Sequence, residues 1–317
     1  VTNAAIASGV IDGEPWVFSA LGMDSTKRWS GITRRAHSWS PGSPRWRQLP
    51  DVPGTVGRLA ATAQVVRGRL FIFGGYTVDS AGAERSVASV DIFDPRLKLW
   101  SRGSDMPVAV DDAVSVVYRD SLIYLISGWH DTSNVRVVQL YDAVRDAWFA
   151  ASPIVWRGVF GHSGGLAGNT IVYVDGVVKQ DSATKYVLER QVWLGTIDRK
   201  NPTVIDWRAG VAHPGPALYR AAVGRCGSQV VFAGGTDNPY NYNGIGYDTR
   251  PSQPSPMVFA FDTRRGVWQT RPPLATPTMD HRALAMIGDA GWLIGGMETG
   301  QRVTTAAVGV PLKDCTK

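Results

Sequence analysis

Leu70-Phe71-Ile72-Phe73-Gly74-Gly75, followed by Val90-Asp91-Ile92-Phe93-Asp94-Pro95 and then by Trp100, is the stretch whose reading decides the fold. An apolar run that stops on a glycine pair reads as a strand covered on both faces, ending where a Cβ would clash or where positive φ is required. The second run reads as the next strand, closed by an Asp-Pro turn. Trp100 opens an outer strand. The same unit recurs along the chain, with its glycine mark at Gly22, Gly75, Gly128, Gly176, Gly235 and Gly296, and its tryptophan at Trp46, Trp100, Trp148, Trp207 and Trp268.

Repeats of about 50 to 60 residues with this content imply a radial array of four-stranded sheets. The expectation is an all-β chain, a six-bladed β-propeller forming one domain, with blades over about 1–56, 57–111, 112–161, 162–219, 220–281 and 282–317. The fourth repeat matches least well, and its third strand reads as one long run over 186–196. The sixth stops after its third strand, so either that blade has three strands or residues 313–317 add an edge. The tryptophans are expected to fill the gaps between blades.

With 44% hydrophobic and 19% charged residues among 317, the composition suits one compact body, and 35 glycines with 19 prolines suit many tight turns. No run approaches the roughly 18 apolar residues of a membrane-spanning helix, so a soluble protein with no membrane partner is expected. The net charge of +6 is scattered over pairs such as Arg34-Arg35, Arg199-Lys200 and Arg264-Arg265. Scattered pairs do not form the basic stripe of a nucleic-acid binder. The chain begins at Val1 rather than methionine, which suggests a removed N-terminal segment, and the expected location is periplasmic or secreted. Two cysteines occur, Cys226 and Cys315, and strand directions put both at the same end of adjacent blades. Two reduced thiols and a disulfide both stay open; pairing would close a loop of about ninety residues, contribute about 4 kcal/mol and imply an oxidising compartment.

In such a ring the loops after each second strand and the connections between blades meet at one mouth of the central channel. The positions just after the glycine marks include Tyr76, Trp129, His130, Lys179, Asp237, Asn238 and Glu298. Those just before the first strands include Arg58, Asp111-Asp112, Arg157, His162, Tyr219-Arg220, Asp280, His281 and Arg282. This set favours an anionic or highly hydroxylated small ligand: arginine forks suit carboxylates, and histidine beside a carboxylate moves protons near neutral pH. The insertion from Asp237 to Asp248 alternates tyrosines, Tyr240 and Tyr242 among them, with asparagines, offering flat faces and hydrogen bonds to a sugar. His281, His162, Asp280 and Glu298 are the candidate acids and bases, with Arg58, Arg220 and Arg282 as carboxylate holders. The remaining named residues are candidate ligand contacts. Three histidines, His130, His162 and His281, come from loops that could converge, yet no short-spaced ligand pair supports a metal, so neither metal nor cofactor is expected.

The repeats resemble the Kelch superfamily along the whole chain. Within it, Leu49-Pro50-Asp51-Val52-Pro53, the run Leu70 to Gly75, the aberrant fourth repeat with Val174-Asp175-Gly176, and the long loop after Phe232-Ala233-Gly234-Gly235 resemble the bacterial N-acetylneuraminate epimerases. That resemblance implies a periplasmic mutarotase whose acidic and arginine side chains bind a sugar acid at the channel mouth. The chain departs from the pattern at Val177 and Met297. The alternative reading is a non-catalytic scaffold that presents the same rim to a protein or peptide.

Overall fold

The computed structural model describes residues 1–180, 185–310 and 312. Five four-stranded antiparallel sheets and one three-stranded sheet follow one another along the chain and make a six-bladed propeller. In the second blade the strands are Thr62–Val66, Arg69–Phe73, Val90–Asp94 and Leu99–Gly103, paired in chain order from the channel outward. The innermost strands of successive blades are neighbours around the axis, and Ala285–Ile287 of the sixth blade packs on Ala5–Ile11 of the first. A strand from the other end of the chain does not complete the sixth blade; among the described residues it has three strands, and residues 313–317 lie outside them.

Six apolar clusters hold the ring, one at each junction. One joins Phe18, Ala20 and Val52 to Leu70, Ile72 and Phe93; another joins Phe71, Phe73 and Val90 to Ile123, Leu125 and Tyr141. Later junctions repeat the scheme, and the last seals Ala285 against Ile6 and Val17. In blades two to five the second strand is therefore buried on both faces, which is why its sequence is a continuous apolar run; in the first and sixth blades, Glu14–Ala20 and Ala290–Ile294 are only partly covered. The tryptophans tie the junctions from outside. Trp100, Trp148, Trp207 and Trp268 each donate an indole N–H to a carbonyl just beyond the outer strand of the preceding blade: Pro50, Ser104, Ser152 and Val211, at 2.7–3.0 Å. Trp46 in the first blade is more exposed.

The structure also adds a tier that the strand pattern does not announce. Short hairpins stand on the rim after the glycine marks: Tyr76–Val78 with Glu84–Ser86, Trp129–His130 with Ser133–Asn134, Val177–Gln180 with Lys185–Leu188, and Met297–Glu298 with Arg302–Val303. The long run over 186–196 is accordingly two elements, a hairpin arm and the third blade strand Val192–Ile197. Cys226 ends the first strand of the fifth blade, buried and disulfide-bonded, while Cys315 lies outside the described residues.

Candidate functional site

A three-residue device, repeated at the head of every blade, builds the channel mouth. Its first residue bridges to the one after the glycine mark: Thr2 to Met23, Leu59 to Tyr76, Asp111 to Trp129, Phe160 to Val177, Tyr219 to Thr236 and Met279 to Met297. The second residue takes positive φ in all six: Asn3, Ala60, Asp112, Gly161, Arg220 and Asp280. These residues are linked from blade to blade, since Asp112 donates its N–H to Ala60 O, Gly161 to Asp112 O and Arg220 to Gly161 O at 2.8–3.1 Å. The third residue, Ala4, Ala61, Ala113, His162, Ala221 or His281, tucks against the glycine mark of its own blade. That close approach is why the mark is glycine.

Because the second residues face one another, three charged ones meet. Arg220 gives Nε and Nη2 to Asp112 and Nη1 to Asp280 at 2.8 Å, while Arg282 gives Nη2 to the other oxygen of Asp112. Thr2 donates its hydroxyl to Asp280. Burial pushes the Asp112 carboxyl up, and the two guanidinium groups outweigh it, bringing the pKa down to about 2. Two aspartates and two arginines thus form a buried, balanced floor.

Aromatic side chains rise above it. Trp129 meets Phe160 edge-on at 5.4 Å, Phe160 meets Tyr219 at 6.0 Å, and Tyr219 meets Tyr240 at 5.3 Å. Tyr219 occupies the space that a side chain at position 161 would need, which requires Gly161. The Arg220 guanidinium lies over Tyr219 and Tyr240, 4.7 and 5.4 Å from the ring centres. Tyr76, Tyr186 and Tyr247 complete the wall. The Tyr240 hydroxyl is buried with no well-formed hydrogen bond among the described residues.

Two further carboxyl groups line the mouth. Asp111 is fully buried, accepts a bond from Ser86 Oγ at 2.7 Å, and has its pKa pushed well up, first by burial and then by the neighbouring Asp112. Glu84 comes from the hairpin of the second blade and is likewise raised, chiefly by burial; its residue remains exposed at the rim, which tempers the effect.

The loop of the fifth blade crosses this space. Tyr242 packs among Leu59, Ala60 and Tyr76 on the second blade, Gly244 sits against Gln301 and Met297 of the sixth, and Tyr247 stacks on Tyr186 of the fourth at 4.1 Å. Asn238 fastens the loop internally, donating to Asp248 Oδ1 at 3.1 Å and accepting from Ser252. Under it about 40 Å³ remains, enough for a few water molecules and too little for a sugar.

The candidates read from the sequence divide accordingly. Arg220, Asp280, Arg282, Tyr76, Trp129 and Tyr240 do converge on the mouth or its floor. His162 and His281 do not: positive φ at the preceding residue turns them into the blades. His162 donates Nε2–H to Ile126 O at 3.0 Å and His281 bonds Thr278, and burial lowers both pKa values to about 4. Arg58 turns away as well, held by Ser89 and Asp91 inside the second blade. Glu298 pairs with Arg302, Arg157 with Glu189, His130 with the Ala109 carbonyl, and Lys179 lies over Trp129 while donating to Thr132 O. Asp237 is exposed, and Asn238 and Tyr242 serve the loop. The three histidines do not meet, and among the described residues no group of three metal-ligating side chains occurs. No described helix is long and apolar enough to cross a membrane.

Glu84, Tyr186 and Tyr247 are mouth residues that pattern reading passed over. Glu84 lies in a stretch without blade periodicity, Tyr186 stands at the head of what reads as one long blade strand and is in fact a hairpin arm, and Tyr247 lies in the 237–248 insertion without a signal of its own. Asp111 carried a signal, its position next to Asp112 ahead of an inner strand.

A larger cleft, about 660 Å³, lies beside the first blade, lined by Trp29, Arg34, Arg35, His37 and Asp51. None of the six-fold ring residues lines it.

Comparison with known proteins supports the repeat unit. The Kelch motif family matches residues 57–107, the second blade. Kelch repeat and BTB domain-containing protein 8 of Xenopus tropicalis is 31% identical over 112 residues, covering 35% of this chain and 17% of that protein. Kelch-like protein terF of Aspergillus terreus is 25% identical over 158 residues, covering 47% and 34%. The chain thus spans at most about a third of the length of these relatives. The solved structure of YjhT superimposes with a TM-score of 0.77 at 16% identity over 99% of this chain and 96% of that one, a likeness of fold. With six blades closed around one axis and the motif in the second of them, this chain is a six-bladed β-propeller that carries a Kelch motif.

Proposed function

We propose that the channel mouth binds a small hydroxylated ligand of the carbohydrate class once the 237–250 loop lifts, and that Asp111 and Glu84 interconvert its anomers. The observation that carries this reading is the pairing of a tyrosine-rich aromatic wall with two carboxyl groups outside the ion-paired floor. Aromatic faces suit the C–H surfaces of a sugar ring. Asp111, held protonated by burial and by Asp112, suits a general acid that protonates the ring oxygen. Glu84 suits the base that takes the anomeric hydroxyl proton, after which the ring C–O bond breaks and recloses on either face. A sugar carboxylate is not part of the proposal, because Arg58, Arg220 and Arg282 already donate to aspartates. The disulfide at Cys226 supports an oxidising, exported location.

Proton NMR of anomer exchange tests the reading. Added protein accelerates exchange of at least one neutral sugar, and Asp111→Asn lowers the catalysed rate about a hundredfold or more, in line with removal of a general acid. Absence of acceleration with any sugar, together with capture of a peptide on the same rim, would place the chain among non-catalytic scaffolds.

A further inference from the structure

The charge balance at the mouth points to the ligand's own charge. We infer that the mouth selects a ligand carrying a protonated amine, such as an amino sugar, over its neutral and acidic counterparts; this rests on the carbohydrate reading above.

The counting is local. Arg220 and Arg282 face Asp112 and Asp280, so the two positive charges of the floor are matched. Glu84 stands beyond that balance and lines the same space, with no cation paired to it among the described ion pairs, while the protonated Asp111 adds no charge. Among the lining residues, one carboxylate, that of Glu84, is therefore left over from the matched floor, although the whole chain carries +6. Around these carboxyl groups stand Tyr76, Trp129, Phe160, Tyr186, Tyr240 and Tyr247. Aromatic faces attract a cation through their quadrupoles, most strongly where water is excluded, and a carboxylate beside them adds to the effect.

An independent mark is the Tyr240 hydroxyl. It lines the mouth, is fully buried, and has no well-formed hydrogen bond among the described residues. Asp280 and Arg220 lie beside it without a well-aligned bond, and a buried hydroxyl so poorly satisfied is costly, so this one is placed to meet a polar group of the ligand. A precedent within the chain is Lys179, whose ammonium already rests over the Trp129 ring at 5.5 Å. An anion would instead meet the Glu84 carboxylate, and would find the guanidinium forks occupied.

Calorimetric titration with three matched sugars, glucosamine, glucose and glucuronate, and with the galactose series, reads the selectivity. Tetramethylammonium, free of sugar stereochemistry, is followed separately through the indole N–H resonance of Trp129. The expected order is amine, neutral, acid, with at least a tenfold step between amine and neutral. Glu84→Gln should reduce that step to less than threefold, and tetramethylammonium should shift the Trp129 signal of the parent protein at millimolar concentration. Equal or tighter binding of the neutral sugar would overturn the inference and leave the carbohydrate reading intact. Binding of tetramethylammonium without any sugar would sink that reading and keep the cation preference. No binding of any probe would remove both.

Discussion

Gly75 shows what one residue decides in this ring. A Cβ there would lie 2.5 Å from the Leu59 carbonyl oxygen, at φ +87°, whereas Gly82, at φ +83°, has open space around it. Gly82→Ala should therefore cost about 1 kcal/mol from its backbone angle, and Gly75→Ala at least about 3 kcal/mol, because backbone must also move. Urea denaturation of the two variants checks the contrast. His162 and His281 carry a second residue-scale consequence. Their folded pKa values near 4 lie below the ordinary 6.5, so the unfolded chain takes protons first as pH falls. Stability should be intact above about pH 6.5 and decline toward pH 4, by on the order of 3 kcal/mol per histidine. Four blades place alanine where these histidines sit, so His281→Ala should fold. It should cost about 2 kcal/mol at neutral pH and about halve the fall in Tm between pH 7 and pH 4.5, as read by thermal melts. An unchanged profile would show that His281 is not an origin of the acid sensitivity.

At the scale of elements, the blades were legible and the rim was not. Period-two and fully buried strands leave runs such as Leu70–Phe73, Val230–Ala233 and Leu122–Ile126, because burial on both faces dictates apolar residues. Glycine marks survive since neighbouring backbone forbids a side chain. Rim hairpins have no such constraint: Glu84–Ser86 and Lys185–Leu188 show one-sided contact and mixed polarity, so their sequences look like loops. Charged positions ahead of the inner strands were readable as a set, but positive φ at Arg220 and Asp280 reverses which neighbour faces the axis, and His281 was thereby misassigned to the mouth. The loop of the fifth blade makes the element-scale prediction. Tyr247→Ala removes its stack on Tyr186, which frees the loop's far side while Asn238 still fastens its base. Hydrogen exchange of amides 239–250 should rise about tenfold, roughly 1.4 kcal/mol of lost protection, with the blade strands unchanged. Unaltered exchange would mean that the stack does not hold the loop down.

Across the whole molecule, the ion-paired floor joins blades that the chain visits far apart: Asp112 heads the third, Arg220 the fifth, and Asp280 and Arg282 the sixth. A buried network of this kind fixes which blades meet more than it adds stability, yet removing one member leaves charge uncompensated. Arg220→Met should cost about 3–5 kcal/mol at pH 7. With its main partner gone, Asp112 is left to burial, which favours the protonated form in the folded state over the unfolded one. The deficit should then narrow as pH falls from 7 to 5, opposite to the trend of the parent protein. Melting curves of both proteins at the two pH values decide it.

The central claim is that function sits where the six repeats converge, and not in the larger cleft beside the first blade. Calorimetric titration of the tightest-binding sugar into the parent protein, Trp129→Ala and Trp29→Ala separates the two. At least a tenfold loss of affinity in Trp129→Ala with Trp29→Ala unchanged is the predicted result; the reverse pattern would contradict the account.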